Sequence, residues 1–123
     1  MILSFFWWLP VGKVPEVSIQ ELKGWLDEGR PLQLVDARTR PEYESGSIGE
    51  ARHAPLTEMP ASLRQLEIEP GKPVVMLCLS GHRSRPGTRW LRAKGIQAYS
   101  LQGGITAWKK AGFPLNKSNH RPG

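Results

Sequence analysis

Cys78 is the only cysteine in this chain of 123 residues. A lone thiol forms no internal disulfide, which fits a reducing compartment and leads us to expect a cytoplasmic protein. It also has no resolving partner of the kind that a dithiol oxidoreductase uses, so whatever Cys78 takes up must be removed by an external acceptor. Acidic residues are missing from a whole stretch. All eleven Asp and Glu lie at or before Glu69, alongside seven Lys and Arg, whereas the ten later cations are accompanied by no acid. No apolar run approaches the ~20 residues that span a bilayer, and neither the basic start nor the small-residue cleavage site of a signal peptide is present. His53 and His120 have no partners at metal-ligand spacing, so neither a metal site nor any other cofactor is expected. The net charge of +6 comes without a recognisable nucleic-acid motif, and no nucleic acid partner is expected.

No repeat or low-complexity tract divides the chain, and its length suffices for one hydrophobic core. Residues 14–115 are expected to form one domain between an apolar N-terminal segment, 1–13, and a polar tail, 116–123. The first of these flanks contains Met1-Ile2-Leu3-Ser4-Phe5-Phe6-Trp7-Trp8-Leu9, broken by Pro10 and Gly12. Two readings compete for it. Trp and Phe favour interfaces, so Met1 to Leu9 suit a weak membrane-surface or protein contact that makes the protein peripheral. The alternative is that the strip folds back over the domain's own surface.

Strand and helix patterns alternate along the rest. Val14 to Val17 reads as a short edge strand, and Ser18 with Glu21 forms a capping box opening a helix with Ile19, Leu22 and Leu26 inward, ended near Gly29. Leu32 to Val35 is a strand, Glu42 to Ser45 a helical turn, and Arg52 to Ala54 a short strand. Met59, Leu63 and Leu66 mark a helix face ahead of the Pro70-Gly71 turn. Ile96 to Leu101 and Thr106 to Ala111 supply a last strand and a last helix, and Trp25, Trp90 and Trp108 read as packing residues. Such alternation predicts an α/β fold with a small parallel sheet of about five strands covered by helices on both faces. Ligand sites in such sheets lie at the carboxyl ends of the strands, where both Asp36 and Cys78 fall.

Cys78 follows the unbroken apolar run Pro73-Val74-Val75-Met76-Leu77, the pattern of a strand buried on both faces. A helix follows Arg83, with Ser84 as its N-cap, Pro86 in its first turn, Gly87, Thr88 and Leu91 on one face, and a stop at Gly95. The N–H groups of a loop in this position make an anion-binding concavity, helped by the helix dipole and the Arg83 cation. A lone cysteine is more commonly an inert core residue. This flanking loop instead favours a reactive thiolate. Arg85, Arg89 and Arg92 recur at near-helical spacing beyond it and, with Lys109, Lys110 and Lys117, suggest either a positive rim that steers small anions or a solvated face.

The segment Cys78-Leu79-Ser80-Gly81-His82-Arg83 resembles the Cys-x-x-Gly-x-Arg active-site loop of the rhodanese family of sulfurtransferases. The likeness continues in Asp36-Ala37-Arg38, Glu42-Tyr43, Gly46-Ser47-Ile48 and Pro55-Leu56, and near the C-terminus in Gly103-Gly104-Ile105, Ala107-Trp108 and Gly112-Phe113-Pro114. Ser47 stands where that family usually has His; Gly49-Glu50-Ala51 stands where it has Pro-Gly-Ala, so a looser or differently bonded turn is expected at Gly49-Glu50-Ala51. Related cysteine phosphatases place one residue more between Cys and Arg than the four found here. The tighter ring suits sulfane sulfur rather than a phosphoryl group.

The resemblance implies a thiosulfate sulfurtransferase in which Cys78 takes sulfane sulfur from a small anionic donor as a persulfide and yields it to cyanide or a thiol. By the same likeness Leu79, Ser80, Gly81, His82, Arg83 and Ser84 bind substrate, with Arg83 on the donor's anionic end. Ser84 serves either the sulfur or the helix cap, and the cap is preferred. Asp36 and Arg38 brace the loop and the neighbouring helix. A non-catalytic rhodanese-type interaction module, and a cysteine phosphatase or arsenate reductase, are the alternatives.

Overall fold

The structure is a computed structural model that describes residues 14–117. Five strands form one sheet in the order β1-β5-β4-β2-β3, with every pairing parallel. They are β1 (Glu16–Val17), β2 (Gln33–Asp36), β3 (Arg52–His53), β4 (Val74–Leu77) and β5 (Ala98–Leu101). Between them run α1 (Ile19–Asp27), α2 (Arg40–Ser45), α3 (Ala61–Gln65) and α4 (Arg85–Ala93), and α5 (Gly104–Lys110) follows β5. The α/β architecture expected from the alternating patterns is the one observed.

Side chains of a strand alternate between its two faces, and β4 supplies both halves of the core. Val75 and Leu77 join Leu34, Leu101, Leu22 of α1, and Ile105 and Trp108 of α5 on one face. Val74 and Met76 join Val35, Ala98, Leu63 of α3 and Leu91 of α4 on the other. All four β4 residues are buried, which is why the segment carries no polar residue. The order places β4 between β5 and β2, so its carboxyl end lies mid-sheet.

Local sequence explains most of the boundaries. Ser18 and Glu21 close the capping box of α1, as their spacing predicts. Thr39 and Glu42 close a second one, so α2 begins at Arg40 rather than at Glu42. The helix expected from Met59, Leu63 and Leu66 is interrupted: Leu56–Glu58 form a 3-10 turn and α3 starts only after Pro60. Asn116, expected in the polar tail, belongs to the folded body. Its backbone bridges Ser47, and its amide donates to the Gly49 carbonyl at 2.7 Å. No helix among the described residues is long and apolar enough to cross a membrane. Met1 to Leu9 and His120 lie outside those residues.

Candidate active site

Cys78 is the first residue after β4 and is fully buried. The register opposes Leu77 to Asp36, so the thiol and the Asp36 carboxylate leave adjacent strands at the same end of the sheet. The loop from Cys78 to Ser84 then turns back into α4. The Gly81 N–H donates to the Cys78 Sγ at 2.8 Å. Hydrogen bonds to an ionised acceptor are about twice as strong as neutral ones, so this donor suits a thiolate. Gly81 achieves the turn with φ +101°, and a Cβ there would lie 3.2 Å from the Gly103 nitrogen.

The loop is held from below by the first turn of α5. The N–H groups of Ile105 and Thr106 donate to the carbonyls of Cys78 and Leu79 at 2.8 and 2.9 Å. These donors belong to the turn whose N–H groups have no partner inside their own helix, so the loop and α5 satisfy each other. The contact requires glycine. Gly104 has φ +61°, and a Cβ on it would stand 2.5 Å from the Cys78 oxygen and 2.6 Å from the Leu79 oxygen. Gly104→Ala is therefore expected to cost about 1–3 kcal/mol through backbone overpacking. It should also slow alkylation or sulfur loading of Cys78; urea unfolding and a thiol-reaction time course measure the two effects.

Within the loop, Leu79 is 43% exposed, and Ser80 and His82 are exposed as well. Ser84 occupies the N-cap position of α4 as its sequence context predicts, but its side chain makes no capping bond. It is buried, and its hydroxyl donates instead to the Gly81 carbonyl at 3.4 Å. The preferred role as a side-chain cap is thus corrected. Ser84 has non-extended backbone angles, φ −83° and ψ −17°, unlike the typical N-cap, and its hydroxyl ties the loop to itself.

Arg83 is held by a carboxylate. Its guanidinium makes a two-pronged ion pair with Glu42 of α2, Nη1 to Oε1 at 3.1 Å and Nη2 to Oε2 at 3.2 Å. The two side chains are 33% and 30% exposed, so the pair lies at the surface of the site rather than in the core. The hydrogen bond from Arg83, with smaller help from Thr39, lowers the Glu42 pKa from 4.5 to about 2. The same bond raises that of Arg83, with the charges of Glu42, Cys78 and Asp36 adding to it.

Asp36 and Arg38 form the most buried ion pair of the site. The Asp36 carboxylate accepts from the Arg38 backbone N–H at 3.0 Å, from its Nη2 at 2.8 Å and from the Ser47 hydroxyl at 2.7 Å. Arg38 Nη2 also donates to the Gly46 carbonyl at 2.6 Å, and the Arg38 carbonyl meets His53 Nε2 at 2.7 Å. The bonds of this pair do not reach the Cys78 loop directly. They clamp the end of α2 and the turn into β3, whereas the direct hold on the Cys78 loop comes from α5. The Ser47 backbone also exchanges hydrogen bonds with that of Asn116 at 2.9 and 2.7 Å, and with the Asn116 amide on the Gly49 carbonyl these give the following turn its own bonding.

Two of the six cations of the suggested positive rim are engaged by other parts of the fold. Arg85 lies 3.8 Å from Glu16, and Arg92, in the last turn of α4, donates to the Ala98 carbonyl at 2.7 Å and stacks on Tyr99. Two contributors were not recognised from the sequence: the α5 amides, and Glu42 as the partner of Arg83. The Thr39-x-x-Glu42 spacing was a readable signal that Glu42 sits in the first turn of a helix. Its contact with Arg83, 41 residues away, had no local signature.

A parallel sheet that delivers one cysteine from its middle strand into a short loop, with its carbonyls held by a second helix, defines a cysteine-loop α/β domain. The Rhodanese-like domain family model matches residues 18–111, and the chain belongs to that family. It is 34% identical over 103 residues to a sulfurtransferase of Allochromatium vinosum, covering 83% of this chain and 94% of that one. To the putative sulfurtransferase YtwF of Bacillus subtilis it is 29% identical over 104 residues, covering 85% and 99%. The thiosulfate sulfurtransferase structure from Pseudomonas aeruginosa superimposes with a TM-score of 0.76 at 27% identity, over 88% of this chain and 21% of that one. The family and these relatives support sulfurtransferase chemistry in general, with a sulfur donor and an acceptor as substrates.

Proposed function

We propose that this protein transfers sulfane sulfur through a persulfide on Cys78, with thiosulfate or a related small anion as donor and cyanide or a thiol as acceptor. The observation that carries this reading is the Gly81 N–H directed at the Cys78 Sγ, 2.8 Å away, inside a loop with four residues between Cys78 and Arg83. The thiolate attacks the outer sulfur of the donor. A new S–S bond forms on Cys78, the donor's own S–S bond breaks, and sulfite leaves with the electron pair. The acceptor then attacks the outer sulfur, and the Cys78 thiolate leaves with its electrons, giving thiocyanate or a small-molecule persulfide. Every step is a two-electron displacement, so no cofactor enters.

Loop amides and the α4 N-terminus supply charge stabilisation along this path, which is where preorganised dipoles contribute most. Cys78 is fully buried, so a donor reaches its sulfur only when neighbouring groups move aside. The relatives' sulfurtransferase names support the reading, and the loop's length disfavours the phosphatase alternative. Initial rates at several thiosulfate and cyanide concentrations test it. Parallel double-reciprocal lines are expected, because the first product leaves before the acceptor binds. Intersecting lines, or turnover of an aryl phosphate at comparable rate, would overturn the proposal.

A further inference from the structure

We infer that Glu42 tunes the charge preference of the donor site, weakening the hold of Arg83 on the doubly charged thiosulfate ion more than on singly charged organic sulfane donors. This deepens the sulfurtransferase reading and rests on it for the identity of the ligands. The cation that a donor would meet in the loop is Arg83, and both of its terminal nitrogens already face the Glu42 oxygens. Glu42 is fixed there from two sides. Its Oε1 also accepts from the Thr39 N–H at 2.9 Å and from the Thr39 hydroxyl at 3.0 Å, so the carboxylate is anchored to the start of α2.

An anchored, permanently ionised carboxylate leaves the Arg83–Glu42 pair with no net charge. An incoming anion gains from the guanidinium and loses to the carboxylate, and that loss scales with the anion's own charge. The pair is about one-third exposed, so the effect is that of a surface pair rather than of a buried one. Removing the Glu42 charge releases Arg83 to the donor. The benefit for a dianion should be roughly twice, on a logarithmic scale, the benefit for a monoanion of similar shape.

Thiosulfate and methanethiosulfonate provide that comparison, because both present a terminal sulfur on a tetrahedral sulfur centre but differ by one charge. Binding is measured by NMR titration on the Cys78→Ser protein, which cannot react, in three forms: Glu42 intact, Glu42→Gln and Glu42→Asp. Gln keeps the acceptor of the capping box and so preserves α2. Glu42→Gln should tighten thiosulfate binding by roughly 1.5-fold to fivefold, the range of a surface charge pair, and methanethiosulfonate by about the square root of that factor. Glu42→Asp should stay close to the parent, and high salt should shrink the difference between the two ligands. Equal tightening of both ligands, no change, or weaker thiosulfate binding would overturn the inference. Turnover by the protein with Cys78 intact is assayed separately: its absence would refute the sulfurtransferase reading, while the titrations would still decide whether Glu42 selects by charge.

Discussion

Replacing Cys78 by Ser should abolish sulfur transfer and leave the fold intact. The serine hydroxyl can accept the Gly81 N–H that now points at the sulfur, and the strand, the loop and the α5 clamp are all made by other atoms. The chemistry has no such substitute. An alcohol at this position is a weak nucleophile towards sulfur and forms no persulfide, and among all residues of the chain no second thiol exists to take over. Thiosulfate-to-cyanide turnover should fall to the uncatalysed background, with a circular dichroism spectrum matching that of the parent. Turnover near the parental rate in that variant would mean that sulfur never resides on Cys78.

The largest effect on stability is expected from Asp36→Asn. Both partners of the Asp36–Arg38 pair are buried, with side-chain exposures of 0% and 5%. Asn is almost isosteric but carries no charge, so the change leaves the Arg38 guanidinium buried without its counter-ion and turns one acceptor oxygen into an NH2 donor facing other donors. Breaking a buried pair from one side costs about 3–5 kcal/mol. That is a large share of the 5–15 kcal/mol typical of a domain. Lys23 and Asp27 of α1 provide the contrast, since they form an equally short pair of 2.7 Å with exposures of 30% and 63%. Asp27→Asn should change stability by roughly 0–1 kcal/mol. Urea unfolding of the two variants reads both numbers. A loss below about 1 kcal/mol for Asp36→Asn would show that the network contributes little to holding α2 and β3 in place.

These two sites also mark how far the sequence is informative. Cys78 was legible because every signal around it is local: an apolar strand before it, a glycine two residues before Arg83, and a helix start after it. Asp36 and Arg38 were legible as a pair through the resemblance, and their contact is local, for the two lie two residues apart at the end of a strand. Their target was not, because Gly46 and Ser47 come into reach only after α2 has turned the chain. Likewise, the α4 arginines give a basic stripe in sequence, but Glu16 and the Ala98 carbonyl, which engage two of them, come from β1 and β5. Sheet order decides such contacts, and hydrophobic patterns do not encode it residue by residue. The helix expected over Met59, Leu63 and Leu66 forms only from Ala61 to Gln65, for a different reason. The apolar spacing was helical, but Pro60 sits inside it and lacks the N–H that a continuous helix needs.

The central claim is that Cys78 carries the transferred sulfur, and intact-protein mass spectrometry tests it most directly. The protein is mixed with thiosulfate, freed of small molecules and weighed before and after addition of cyanide, and peptide fragmentation locates any added mass. The account predicts a gain of one sulfur atom, confined to the peptide that contains Cys78 and lost completely on cyanide treatment. An unchanged mass after thiosulfate, or added sulfur on a peptide without Cys78, would contradict it.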